Sequence, residues 1–184
     1  FIILMIVLIP VTLGLMGTSL GVRGAILPLV VGAAAHAQYR DAEEKTWTEA
    51  EAPPPARFST DNLQPFDVSV NSALRYGIDP ATLSVGADGV VRYVLVARSS
   101  SGALNALYQG VRCETAEYKT YGRWDNQSSW NTSDKDGWRP LSFSGPSRPA
   151  MMLAHGGICD GRTINGSAQK ILTALKKGPS SQQH

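Results

Sequence analysis

Nucleophilic chemistry in this chain would have to run through His155 and Cys159, which stand in the run HGGICD. The other two histidines are poor candidates, because His36 lies in an apolar N-terminal segment and His184 is the last residue. A serine or cysteine nucleophile needs an adjacent base, and a separation of four residues would set both side chains on one helix face. Gly156-Gly157 argues against a helix there, so His155 reads as a loop or surface histidine. A zinc ion could draw on Cys113, His155, Cys159 and Asp160. Structural zinc sites use close cysteine pairs, however, and these two cysteines are 46 positions apart. No metal or cofactor is expected. Glu114 and Glu117 lie three apart on a predicted strand and so point to opposite faces. Asp134 and Asp136 sit in a turn-like SDKDG. A glycosidase pair needs two carboxyl groups facing across a cleft, and these four read as solvated charges and turn caps.

Aromatic residues offer a different chemistry. Tyr118, Tyr121, Trp124, Trp130, Trp138 and Phe143 are interleaved with Lys119, Arg123 and Arg139. Such a set can stack on sugars or on a peptidoglycan strand, or anchor a protein partner. It can equally be the core of a sheet. With both readings open, the candidate binding face is Tyr118, Tyr121, Arg123, Trp124, Trp130 and Trp138. The N-x-S/T triplets at Asn126, Asn131 and Asn165 read as by-products of polar loops. HGGICDG lacks the strand, loop and lysine of a phosphate cradle.

The elements that must position these residues follow from apolar spacing. Val90–Ala97 is apolar on both faces, as in a central strand covered on both sides. Gly86-Ala87-Asp88-Gly89 is the turn before it, and Ser99–Gly102 turns the chain into an antiparallel return over Ala103–Cys113. A third strand is expected through Tyr118–Tyr121. Phe66, Val68 and Val70 alternate like a half-buried strand. Ile78–Val85 is a short strand broken at Asp79-Pro80, and another short strand falls around Trp138–Phe143. Gly122–Gly137 reads as a hairpin or long loop, and Ala150–Ala154 as a helical turn. The clearest helix is capped by Ser167, carries Ala168, Ile171, Leu172 and Leu175 as one stripe, and stops at Gly178-Pro179. The expected fold is α+β: an antiparallel sheet of about four to five strands, a C-terminal helix packed on it, and one disulfide.

The first 37 residues are of another kind, with Arg23 as their only charged residue. Phe1–Leu20 approaches the length of a membrane span, but Pro10, Gly14 and Gly17 interrupt it. Met16–Ala37 fits a secretory signal: Arg23, the apolar Ala25–Ala35, and Ala35-His36-Ala37 as the cleavage site. The expected organisation is therefore 1–37 signal peptide, with Met16 as the start, and 38–57 an acidic, proline-rich leader. A domain over 58–178 and a disordered tail over 179–184 follow. Trp47 is the leader's one large apolar residue and is expected to pin it to the domain. Past residue 37 the charges nearly balance, which implies neither a nucleic-acid footprint nor an acidic partner. Export to an oxidising compartment would join Cys113 to Cys159.

Several of these pieces together resemble the CNP-one-like family, small exported proteins of Gram-negative bacteria. They are LQPFDVSV (Leu63–Val70), IDPATLSVGADGVVRYVLVARSSSGALN (Ile78–Asn105), YQGVRCETAEYKTYG (Tyr108–Gly122), Trp130, Trp138, Cys159 and the ILTALKKG helix. The family usually carries a Glu where Gln109 stands and an aromatic where Ile158 stands. The resemblance implies export, the disulfide and a single domain, and brings no reaction with it. The expectation is a non-enzymatic periplasmic domain that binds an envelope protein or a cell-wall glycan. An envelope hydrolase is the alternative, as is an accessory subunit anchored to the inner membrane by an uncleaved N-terminal helix.

Overall fold

In the computed structural model, residues 46–132 and 136–178 are described. The readings of 1–37, of Met16 as the start, of Asp134 and of the 179–184 tail lie outside the described residues. No helix among those described is long and apolar enough to cross a membrane.

The fold is α+β, built on an antiparallel sheet. Its centre is β4 (Val90–Ser99), which pairs along its length with β5 (Leu104–Arg112). The turn between them needs Gly102, whose φ of +88° is left-handed. Outward on one side lie β2 (Leu74–Ile78) and then β1 (Gln64–Phe66); on the other lie β6 (Glu117–Trp124) and β7 (Trp130–Thr132). β3 (Ser84–Val85) also pairs with β4, and β8 (Arg139–Pro140) with β6. The sheet thus has eight strands, where about four to five are expected from sequence.

The extra strands come from interrupted lanes. β2 and β3 occupy successive stretches of the same side of β4, separated by a 3₁₀ turn over Pro80–Thr82. Asp79 holds that turn: its carboxylate accepts the Ala81 N–H at 3.0 Å and the Ser59 N–H at 2.9 Å. Likewise β7 and β8 follow one another along β6. Strands of two or three residues are too short to show alternation. The expected strand through Phe66, Val68 and Val70 ends at Phe66, and Val70 is fully exposed. The strand expected around Trp138–Phe143 shrinks to Arg139–Pro140, where proline suits a sheet edge.

Both faces of β4 are covered, and by different things. On one face Val91, Tyr93 and Leu95 meet Val111 and Tyr118 of the sheet. They also meet Leu153 of α1 (Arg148–Leu153), Ile158, and Ile171 and Leu175 of α2 (Ala168–Lys177). On the other face Val94, Val96, Ala106 and Tyr108 lie under Ala52, Phe58 and Leu63, with Trp124 and Trp130 beside them. The second layer is therefore the end of the proline-rich leader together with the Phe58–Leu63 segment that follows it. The leader's consecutive prolines offer no ladder of N–H groups, so it packs as an extended strap, held by side chains and by isolated backbone contacts such as the Ala50 N–H to Asp88 and the Pro55 carbonyl to Trp130. That packing starts at Trp47, whose indole N–H donates to the Asp88 carbonyl at 2.7 Å.

α2 begins as expected, with Ser167 Oγ accepting the Lys170 N–H, and ends at Gly178 with φ +72°. After α1 the chain makes one wider π-type turn, Ala154–Ile158. Gly157 closes that turn against α2: a Cβ there would sit 3.0 Å from Ala174 Cβ and 3.1 Å from the Leu175 nitrogen. A small ribbon follows, β9 (Cys159–Asp160) with β10 (Thr163–Ile164). The Cys113–Cys159 disulfide, with Cα atoms 5.6 Å apart, ties the end of β5 to this ribbon.

Candidate functional site

Strand alternation would carry Lys119, Tyr121 and Arg123 to one face and Tyr118, Thr120, Gly122 and Trp124 to the other. A β-bulge overrides this. Gln109 pairs with Thr120 and Tyr108 with Gly122, leaving Tyr121 as the extra residue. Past the bulge every side chain of β6 changes sides. Arg123, opposite Leu107, turns to the helical face, and Trp124 turns to the strap.

The six residues nominated from sequence are divided accordingly. Trp124 and Trp130 pack edge-on at 5.2 Å and both contact Phe58, with ring centroids 5.2 and 5.4 Å away. Tyr121 lies on the strap side, its hydroxyl donating to Glu49 at 2.7 Å. Trp138 donates to the same carboxylate at 3.3 Å and meets Trp47 edge-on at 5.9 Å. Tyr118 and Arg123 stand on the opposite face. His155 is exposed beside Phe143, 6.1 Å away. Both cysteines are in the disulfide, so neither is free to be a nucleophile or a zinc ligand.

On the strap side most polar groups satisfy one another, and only Nε of Arg92 and Nε of Arg112 are buried without a partner among the described residues. Glu49 takes donors from Tyr121, Lys119 (2.9 Å) and Trp138. Burial raises its carboxyl, and those three donors outweigh that and hold it below the usual value. Asp88 receives both guanidinium ends of Arg92, at 2.6 and 3.1 Å, and the Ala50 N–H at 2.9 Å. Burial again raises the carboxyl, but the Arg92 and backbone donors bring it from 3.8 to about 2. Burial and the Glu49 hydrogen bond push the Tyr121 hydroxyl upward. Arg112 stacks 4.0 Å over the Trp47 ring. These contacts fasten the strap.

The helical side of β5, β6 and β8 is different. There Leu107, Gln109, Tyr118, Thr120, Arg123, Asp136, Arg139 and Pro146 line a cleft of about 90 Å³. Gln109 is only 3% exposed; its amide donates to Thr120 Oγ1 at 3.0 Å, while its carbonyl oxygen has no partner. At the cleft's rim Asp136 stands between Arg123 and Arg139, 3.7 Å from each guanidinium. That is an ion pair too long for a hydrogen bond, so two guanidiniums share one carboxylate with donors to spare. Tyr118 and Arg123 from the nominated set come together here. Gln109 and Thr120 escaped notice as site residues, although a glutamine between Leu107 and Val111 on the inner face of a central strand is a visible signal. A larger groove, about 340 Å³, lies between β1 and the helices, with Phe66, Met152, His155 and Leu175 among its walls.

No curated protein and no solved structure matches this chain. The model of the CNP1-like family matches residues 42–176, so both the strap from Trp47 onward and the Gln109 cleft fall within the matched region. The chain belongs to the CNP1-like family.

Proposed function

We propose that this chain is an exported, non-enzymatic binding domain of the bacterial envelope, and that it holds its partner at the Gln109 cleft. The observation that carries the reading is the unpartnered Gln109 carbonyl at a cleft whose rim holds two guanidiniums against one carboxylate. A buried acceptor without a donor costs about 1–3 kcal/mol, a cost a binding site accepts because the ligand supplies the donor. The disulfide fits an oxidising compartment, and the periplasm is the one we propose. Within this cleft binding is favoured over a two-carboxylate hydrolysis, because Asp136 is the only carboxylate among its described lining residues.

The test is a crosslinking pull-down from the native envelope with the wild-type chain and with Arg123→Ala/Arg139→Ala. Both arginines are more than half exposed, so the variant is expected to keep its melting temperature. It is expected to lose what the wild type captures. Equal capture by both would overturn the reading.

A further inference from the structure

The groups that line the cleft also define the chemistry of what fits it. Resting on the reading just given, we infer that the cleft recognises a terminal carboxylate bearing an N–H donor on the adjacent carbon, the pattern of an amino acid or of a peptide C-terminus. Three observations converge. Arg123 and Arg139 are 57% and 61% exposed, and neither is within hydrogen-bond length of Asp136. A guanidinium presents a planar fork of donors that matches a carboxylate in two-point fashion, and the net charge of the three rim groups favours an anion. Asp136 then acts as a spacer that keeps the two forks apart and turns away doubly charged anions.

The second observation is the Gln109 carbonyl. It is buried and accepts nothing, so a ligand that brings a donor as well as a negative charge would satisfy it. A simple carboxylate such as acetate, ionised at neutral pH, offers charge with no donor and leaves this acceptor empty. An N–H one carbon from the carboxylate supplies both within a span of a few bonds. The third observation is the wall. Leu107, Tyr118 and Pro146 are apolar, and about 90 Å³ has space for a few water-sized groups only. The side chain admitted is a small one.

A competing occupant is water. Tyr93 stands opposite Gln109 in the register, and its fully buried hydroxyl also has no partner. A single ordered water could bridge that donor and the Gln109 carbonyl, which would leave nothing for a ligand to satisfy.

The experiment is a titration of the full chain, followed by ¹⁵N chemical shifts of the glutamine side-chain and arginine groups. The probes are acetate, alanine, N-acetylalanine and N-acetylalaninamide. At least one of alanine and N-acetylalanine is expected to bind tenfold or more tighter than acetate and N-acetylalaninamide, shifting the Gln109 amide. Alanine as the tighter of the two assigns a free amino acid, and N-acetylalanine a peptide C-terminus. Gln109→Leu/Thr120→Val removes the acceptor together with its partner, so it should leave the melting temperature unchanged or higher and weaken binding at least tenfold. Equal affinity for acetate would show that no donor is read, and equal affinity for the amide that no carboxylate is read. Either result, or unchanged binding by the double variant as bridging water would give, overturns the inference. If none of the probes binds while the pull-down is still lost in Arg123→Ala/Arg139→Ala, this ligand class is wrong and the cleft as a binding site stands.

Discussion

Asp88 illustrates how much of this molecule depends on single side chains. Its carboxylate is 3% exposed and joins the Gly86–Gly89 turn, Arg92 of the central strand and Ala50 of the strap. Its folded-state value of about 2 lies below the ordinary 3.8. The stabilisation is therefore fully present above pH 4 and is lost as pH falls through about 2. At 1.36 kcal/mol per pH unit this is on the order of 2 kcal/mol. Glu49 is lowered as well and acts with the same sign, so the informative quantity is a difference. Asp88→Asn should melt lower than wild type at pH 7, and the gap should narrow between pH 4 and pH 2; a constant gap would count against this role. Gly110 is a second such residue. A Cβ there would lie 2.8 Å from Val90 Cγ1 and 2.9 Å from the Tyr121 ring. Gly110→Ala is expected to cost about 1–3 kcal/mol in denaturant unfolding, by lifting Tyr121 off β5.

At the scale of elements, the long ones were legible in the sequence and the short ones were not. The β4–β5 hairpin declared itself through one run apolar on both faces, a second run returning antiparallel, and a turn ending in Gly102. Helix α2 declared itself through Ser167, one apolar stripe and Gly178. The bulge at Tyr121 carries no sequence signature, because it is a matter of pairing between strands. It sends Arg123 and Trp124 to faces opposite to those that alternation assigns, and so the cleft could not be read off the chain. Trp124 and Trp130 likewise look like a binding surface until Phe58 is seen lying against them. Gln109 was visible as a polar residue in an inner-face position, but its significance depends on Thr120 and Arg139 arriving beside it. The disulfide belongs at this scale too. It closes a loop of 46 residues between β5 and the ribbon after α1, worth up to about 4 kcal/mol in the chain-entropy model. Reductant, or Cys113→Ala/Cys159→Ala, should lower the melting temperature markedly; an unchanged transition would remove the disulfide from the list of stabilising features.

For the whole molecule, the main departure from expectation is the role of the acidic leader. Residues 46–63 form the second layer over the sheet, where Ala52, Phe58 and Leu63 cover Val94, Val96 and Ala106 with Trp124 and Trp130 beside them. A chain beginning at Phe58 would lose Trp47, Glu49, Ala52 and Pro55, together with the hydrogen bonds that Asp88, Tyr121 and Trp130 make to that segment. It is expected to unfold at lower denaturant and to bind a hydrophobic dye at the uncovered face; stability equal to that of the full chain would mean the strap is only an appendage. With one face under the strap and most of the other under the helices, the Gln109 cleft is where an unpartnered side-chain acceptor of the sheet lines an opening. The most direct measurement of that claim is in-cell photo-crosslinking through a photoreactive residue replacing Gly137, at the cleft, where an added Cβ would meet nothing within 4 Å. The control is the same residue replacing Lys170, exposed on α2. The account expects an adduct at position 137 that disappears with Arg123→Ala/Arg139→Ala. An adduct no stronger than the control, or one that survives the arginine substitutions, would contradict it.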